Sequence, residues 1–501
     1  AKGKGRESGA MTSLREKATV GIAWSALERI SQVVVVFVVQ IVLARILGPE
    51  QFGLLAMVSV FVLLGNVIVE SGLGAALVQR SDITDADRST VFIFNVIAAI
   101  LMAFLLWSAG PWIASFYRQP LLADVVTVLG LGLVISAMGA VHRAQLQKQL
   151  AFKKLFWVTT PATLLSGAFG IGLALQGFGV WALVGQALSQ RALNTLCLWY
   201  QTRWMPKAEF DTSRFGVLFS YGSKLALSTI LYQSFSNIYM LVIGRVFSPI
   251  EVGFFQRAKA MRELPITTLQ SVVGSVTFPV LSSIQQDAVR MKNILRRSLQ
   301  FSALIALPGM AVMAGLAEPL VLFLVGEKWL PSAPMLQLLC ASGALYPLHA
   351  GNLSLLQATG RSDLFLRVEV IKKIATIANI VLTYRYGLFV MICGMIVTSL
   401  LGLIINTYYT ERILTYGLRQ QARDILPAIV LGGVLYVVTT CIVSIPVMLS
   451  VEKLGVGLVL AIAISILSIR IMPEDIKEEV RRWSDRLPRG LRSTFKGIFI
   501  L

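Results

Sequence analysis

The sequence predicts an all-α, polytopic membrane protein of about 14 transmembrane helices, arranged as two pseudo-symmetric six-helix lobes in a parallel repeat plus two C-terminal helices. Three observations carry that prediction. Hydrophobic residues fill 56% of 501 positions and charged residues only 14%, proportions that a soluble single-core domain of this size does not show. Apolar runs of about 20 residues, the length that crosses a hydrocarbon core of roughly 30 Å, recur along the whole chain. Finally, the motif Arg45-x-x-Gly48-Pro49-x-Gln51-x-Gly53 returns without a gap as Arg245-x-x-Ser248-Pro249-x-Glu251-x-Gly253. Each copy follows one apolar run and opens another.

The first run, 20–43, is too long and too far from the start for a cleaved signal peptide and has no small-residue cleavage site after it, so it reads as the first spanning helix. The second, 52–78, opens on the motif and contains Gly72 and Gly74, small residues that let helices approach. The third and fourth, 89–110 and 121–141, are continuous. The fifth, 155–176, has Gly167, Gly170 and Gly172, and the sixth, 180–200, carries Arg191. The stretch 201–214, with Pro206 and several charges, reads as a linker. The seventh run, 216–243, restarts the pattern, and the eighth, 252–281, opens on the second motif copy and holds Pro265 and Pro279. Pro308 in the ninth, 298–317, and Pro347 in the tenth, 333–358, should kink or interrupt them as well. The eleventh, 364–384, is charged at one end, and the twelfth, 388–410, has Gly394, Ser399 and Gly402. Runs 426–448 and 455–470 form an appended pair. The expected organisation is a tail 1–18, an N-lobe 19–200, a linker 201–214, a C-lobe 215–410, the pair 426–470, and a tail 471–501. In that last tail Ile476, Val480, Trp483 and Leu487 fall at the spacing of an amphipathic surface helix.

Lysines and arginines set the orientation. The N-terminal tail, the even-numbered connections and the C-terminal tail, with Arg367 and Arg470 near the cytoplasmic ends of their runs counted in, hold 31 of them, whereas the odd-numbered connections hold six: Arg45, Arg118, Arg245, Lys328, Arg385 and Lys453. By the positive-inside rule both termini are cytoplasmic. The net charge of +19 then reflects topology and attraction to anionic lipid, and nucleic acid is excluded as a partner because no folded basic surface is available for it. Because six helices per lobe is even, the repeat axis runs along the membrane normal, and the two lobes are expected to enclose a cavity that opens to each side in turn.

Ionisable residues at membrane depth are costly and mark function or a partner. Helix one presents Gly21, Ser25, Glu28 and Gln32 at helical spacing, with Arg29 beside them, and helix two adds Asn66 and Glu70. Helix seven repeats the pattern with Lys224, Ser228 and Tyr232. Helix eight carries Arg257, Lys259, Arg262 and Glu263, and helix eleven carries Glu369, Lys372 and Lys373, with Glu369 and Lys373 spaced for an internal i,i+4 pair. With Arg191 included, eight embedded cations face four acids. An excess of positive charge in a hydrated cavity selects an anion. The expected binding set is Arg29, Lys224, Arg257, Lys259, Arg262, Lys372 and Lys373, with Glu28, Gln32, Asn66 and Glu70 as polar lining or ion-coupling groups.

No phosphate loop and no His-Glu-x-x-His pair is present, so the chain reads as a transporter without cofactors rather than an enzyme. His142 falls in a basic connection and reads as topogenic. Cys197, Cys340, Cys393 and Cys441 are scattered singly, with no CxxC spacing, and read as small packing residues; no metal or disulfide is expected. A glycan polymerase or ligase is the rival from another class, but the longest outward connection is only about 15 residues, short for a catalytic loop. A drug exporter for cations would want an acidic cavity, and a membrane scaffold leaves the buried charges unexplained.

Several blocks in order carry a resemblance: Leu47-Gly48-Pro49-Glu50-Gln51-Phe52-Gly53, Ser71-Gly72-Leu73-Gly74-Ala75-Ala76-Leu77-Val78-Gln79-Arg80, Gly179-Val180-Trp181-Ala182-Leu183-Val184, Ile243-Gly244-Arg245 and Leu324-Val325-Gly326-Glu327-Lys328-Trp329. Together they resemble the polysaccharide transporter branch of the multidrug/oligosaccharidyl-lipid/polysaccharide (MOP) flippase superfamily, in its Wzx, colanic-acid-exporter form, across helices one to twelve. The resemblance implies movement of undecaprenyl-diphosphate-linked oligosaccharide units to the periplasmic leaflet, with polysaccharide polymerase and export machinery as further candidate partners. A peptidoglycan-precursor flippase is the alternative within the superfamily. It also implies that arginines of the first and eighth helices, here Arg29 and Arg257, hold the anionic head group. The branch often has an acid six positions before the Ile-Gly-Arg arginine; this chain has Tyr239, which leaves any ion-coupling role to Glu28 or Glu70.

Overall fold

A computed structural model describes residues 4–80, 82–446 and 448–471. Among the described residues the regular structure is entirely helical, and the chain forms two compact units, Ala1–Gly253 and Phe254–Leu501. The first unit holds α1 (Lys4–Ile46), α2 (Pro49–Glu70), α3 (Leu73–Gln79), α4 (Asp85–Tyr117), α5 (Leu121–Lys148), α6 (Phe152–Leu175), α7 (Val180–Thr202), α8 (Thr212–Ser236), α9 (Ile238–Val246) and the first turn of α10 (Pro249–Ser283). The second holds the rest of α10, then α11 (Ala288–Gly315), α12 (Ala317–Leu324), a 3-10 turn at Glu327–Trp329, α13 (Ser332–Ala344), α14 (Tyr346–Ala358), α15 (Ser362–Thr383), α16 (Leu388–Leu414), α17 (Leu418–Val443) and α18 (Ser450–Ile471). The segment 201–214 lies inside the first unit. The amphipathic helix expected in 471–501 lies outside the described residues.

Several expected runs are broken. The second becomes α2 and α3, because Ser71 and Gly72 both adopt left-handed backbone, at φ 42° and 65°. The seventh becomes α8 and α9, bent by 42°, and the tenth becomes α13 and α14, with Pro347 in the first turn of α14. Pro265, Pro279 and Pro308, expected to kink or interrupt their helices, do not interrupt them: each lies inside a continuous helix. Eight described helices are long and apolar enough to cross a membrane, nine if the bent pair counts as one span. The other expected spans differ for physical reasons: α10 and α15 carry the embedded charges, α7 carries Gln186, Gln190 and Arg191, and α13 and α14 are half-length.

The repeated motif is a helix start used twice. Pro49 sits at N1, where its missing N–H costs nothing, and Gln51 Oε1 accepts from the N-cap Gly48 N–H at 3.0 Å. At the second copy Glu251 Oε2 accepts from Ser248 N at 3.0 Å while Ser248 Oγ accepts from Glu251 N at 3.3 Å, a reciprocal capping box. A second reciprocal box, Thr84 with Asp87, opens α4. It also receives the 201–214 segment: Arg214 donates to Asp87 Oδ2 at 2.8 Å, and the backbone N–H groups of Lys207 and Asp211 reach Ser89 and Thr90 at 3.0 Å each.

Of the glycines expected at close contacts, Gly72, Gly167, Gly170, Gly394 and Gly402 do sit against neighbours, whereas Gly74 and Gly172 face open space. The cysteines divide similarly. Cys340 is buried, but Cys393 and Cys441 are exposed on their helices rather than packed. His142 is not a surface residue of a basic connection: it is fully buried between Trp199 and Trp204, at ring distances of 5.0 and 5.3 Å, with Nδ1 bonded to Thr202 at 2.7 Å.

Candidate functional site

In the first unit the expected polar stripe of α1 is shared with α6. Ser31 bonds Thr160 at 3.1 Å, Thr159 donates to Glu28 at 3.5 Å, and Lys153 lies over Trp24 at 5.6 Å. Glu28 and Gln32 are half-buried, while Arg29 beside them is exposed. On α2, Asn66 donates to Glu70 at 3.2 Å, as their i,i+4 spacing allows. Lys224, Ser228 and Tyr232 of α8 are all exposed. Arg191 has a packing role: its guanidinium reaches the Leu129 carbonyl at 3.5 Å and lies over Gly132, which joins α7 to α5.

The second unit concentrates the cations. Arg257 is buried and stacks on Trp329 at 4.9 Å, so an arginine that the resemblance singles out meets the last residue of the 324–329 block, 72 positions on. An arginine over an indole face keeps its charge while shedding water. One helical turn on, Glu263 accepts from Arg262 at 3.4 Å and pairs with Lys259 at 3.8 Å. Arg262 also reaches Ser342 Oγ on α13 at 3.5 Å, and its stem packs on Gly343. On α15 the ion pair runs from Glu369 to Lys372, at i,i+3. Two acids, Glu263 and Glu369, thus sit among five cations: Arg257, Lys259, Arg262, Lys372 and Lys373.

A short polar chain links these groups. Ser399 of α16 donates to the Ser342 carbonyl at 3.3 Å and meets His349 Nε2 at 3.2 Å; Asn406 Nδ2 approaches His349 Nδ1 at 3.0 Å. Gly402, one turn from both, leaves room for the Lys372 stem and the His349 ring, either of which would meet a Cβ there at 3.3–3.4 Å. From Arg262 to Lys372 the path therefore runs through Ser342, Ser399 and His349. Sequence reasoning found the cations and missed these connectors. The signal was present in Ser399 and Gly402, three residues apart on one face and noted only for packing, and in His349 just after the helix-breaking Pro347.

Comparison with known proteins gives the same fold and family. Residues 42–334 match the family described as polysaccharide biosynthesis protein. The chain is 28% identical over 401 residues to lipopolysaccharide biosynthesis protein WzxC of Escherichia coli K12, covering 79% of this chain and 80% of that one. It is 26% identical to teichuronic acid biosynthesis protein TuaB of Bacillus subtilis, over 71% and 74% of the two chains, and 28% identical to succinoglycan biosynthesis transport protein ExoT of Rhizobium meliloti, over 72% of each. Among solved structures, the lipid II flippase MurJ in an inward closed conformation superposes with a TM-score of 0.72 at 14% identity, covering 91% of this chain and 99% of that one. At that identity the likeness speaks for the fold. The chain belongs to the polysaccharide biosynthesis protein family, and with it to the polysaccharide transporters of the MOP flippase superfamily that its motifs resemble.

Proposed function

We propose that this protein is a flippase that carries undecaprenyl-diphosphate-linked oligosaccharide repeat units from the cytoplasmic to the periplasmic leaflet of the inner membrane by alternating access, in surface polysaccharide synthesis. In this reading 19–200 and 215–410 are its two lobes, both termini are cytoplasmic, and polymerase and export proteins act on what it delivers. The diphosphate is received by Arg257, Lys259, Arg262, Lys372 and Lys373, with Arg29 and Lys224 as further cations; Glu28, Gln32, Asn66 and Glu70 provide polar lining.

The observation that carries the reading is the set of five cations against two acids in the second unit, tied together across α10, α13, α14, α15 and α16 by hydrogen bonds and close packing. An excess of charge of one sign at membrane depth is costly and marks a site for a partner of the opposite sign. A diphosphate supplies at least two negative charges in one group, and Arg and Lys together offer both forked and point-charge partners for it. The family match and the relatives named for lipopolysaccharide and succinoglycan synthesis support the same substrate class.

Charge reversal tests it. Arg262→Glu and Lys372→Glu, each in cells whose surface polysaccharide depends on this protein, should abolish that polysaccharide while membrane levels of the protein stay normal, and lipid-linked oligosaccharide should collect on the inner leaflet. Intact surface polysaccharide in both variants would remove the anion site from the proposal.

A further inference from the structure

The His349 environment determines where its proton sits. Ser399 Oγ gives its hydrogen to the Ser342 carbonyl, so toward the ring it can only accept, and His349 Nε2 is the donor. On the other side an amide nitrogen of Asn406 faces Nδ1 at 3.0 Å, which makes Nδ1 an acceptor. His349 is therefore a neutral imidazole in this arrangement. The Asn406 side chain is fully buried, and its carbonyl oxygen Oδ1 has no hydrogen-bond partner among the described residues. An unpaired buried carbonyl is costly, of order 1–3 kcal/mol. Turning the amide over would place that oxygen on Nδ1, and Nδ1 could then hold a proton.

The groups facing His349 are few. Lys372 approaches from α15, ion-paired to Glu369. Tyr346 lies one turn back on α14, with ring centroids 6.5 Å apart. Ser399 and Asn406 come from α16, Ser342 from α13 stands behind Ser399, and α11 meets this helix through Leu295 and Leu299 at Gly351. The ring itself is half-buried, so it is within reach of its surroundings.

We propose that His349 is a positioning residue for transport: it takes up one proton at Nδ1 as the Asn406 amide turns over to present Oδ1, and the charge gained beside Lys372 tightens the second unit's hold on an anionic head group. Loss of the proton reverses the turn and loosens the hold. One proton from water is bound or released in each exchange, Nε2–H stays on Ser399 throughout, and no covalent bond other than N–H changes. The inference rests on the transport reading above and adds to it a proton-linked residue that is not a carboxylate.

The chain has only two histidines, so the full-length His142→Gln variant, labelled with 15N-histidine in lipid nanodiscs, gives one imidazole signal. If that substitution unfolds the chain, subtracting the His349→Gln spectrum isolates the same signal. His349 should protonate reversibly as the pH is lowered from about 8 toward about 4. Asn406→Asp, whose carboxylate can only accept, should raise the midpoint by about one pH unit or more, and Asn406→Leu should lower it. In proteoliposomes, flux of a fluorescent polyprenyl diphosphate probe should rise or fall several-fold over that range in the parent protein. The profile should be flat in His349→Gln and displaced toward alkaline pH in Asn406→Asp. A silent His349 between pH 4 and pH 9, or a parent-like pH profile in His349→Gln, overturns the inference. If the parent protein moves no probe at any pH, the transport reading fails instead, and the titration alone still decides whether His349 and Asn406 form the exchanging pair.

Discussion

Gly53 and Gly253 each lie against the backbone carbonyl of the proline that opens the other's helix: Gly53 against Pro249, and Gly253 against Pro49. The two copies of the repeated motif thus cross reciprocally, each residue type in a definite role. Proline starts the helix, Gln51 or Glu251 caps it, and glycine four residues after the proline removes the side chain that would hold the crossing apart. A pair of contacts in which i meets j and j meets i is what a local two-fold relation between repeats produces.

That crossing reverses the usual effect of a glycine-to-alanine change. In an exposed helix interior, alanine is better by roughly 1 kcal/mol. Here a methyl group would overlap a backbone carbonyl, and overpacking of this kind costs about 1–3 kcal/mol. Gly53→Ala and Gly253→Ala should each lower the thermal midpoint of the purified protein by several degrees. Gly309→Ala and Gly433→Ala, where a Cβ would meet nothing within 4 Å, should leave it unchanged or raise it.

Arg257 and Trp329 should behave as a unit. Arg257→Lys keeps the charge but loses the flat guanidinium that covers the indole, and Trp329→Leu keeps an apolar partner but loses the π face. Each should weaken surface polysaccharide output severalfold, and the double variant should be little worse than either single. A double-mutant cycle on export at matched protein level measures this; fully additive losses would separate the two residues.

The α4 start and the 201–214 segment should loosen together. Asp87 holds the N-terminal cap of α4 and the Arg214 guanidinium, with its carboxylate nearly buried. Asp87→Ala removes both and should cost about 1–3 kcal/mol. Trypsin should then cut at Arg203 or Lys207 well before it cuts the parent protein. Ser89→Ala with Thr90→Val, which removes only the acceptors for Lys207 and Asp211 N–H, should accelerate the same cut with a smaller loss of thermal stability.

Tyr416 donates to Asp424 at 2.8 Å, while Arg296 holds the same carboxylate with two nitrogens at 2.7 and 2.8 Å. Burial, then the bond to Asp424, pushes the Tyr416 phenol above its ordinary range. The protonated form is the one favoured by folding, so this contribution is complete at neutral pH and is lost only as the pH rises past the ordinary phenol range of about 10. Tyr416→Phe should therefore lower stability by about 1–2 kcal/mol at pH 7. The deficit relative to the parent should narrow in strong base, as read from thermal midpoints across the pH series.

The membrane class and the repeat were legible because both depend on patterns local in sequence. Apolar runs declare themselves within about 20 residues, and the capping motif needs only four consecutive positions to work. The embedded cations were legible for the same reason, since a charge inside an apolar run is conspicuous wherever it points. Breaks were less so. Pro347 marked one correctly, but Pro265, Pro279 and Pro308 did not, because a proline in a helix can be accommodated by whatever packs beside it. The breaks at Ser71–Gly72 and Asn237 follow no proline at all.

By itself, then, the sequence determined that this chain lives in lipid, that it duplicates one helix start, and that it keeps an excess of positive charge where charge is costly. Which of those charges serve each other was decided only by the fold. Arg191 went to the packing of α5 on α7, Lys372 to Glu369, and Arg257 to Trp329, while Ser342, Ser399, His349 and Asn406, from three different helices, became one hydrogen-bonded path. Along that path each hydrogen-bond partner lies about 3 Å away in space and 50 to 57 residues away along the chain, and no local pattern encodes that distance.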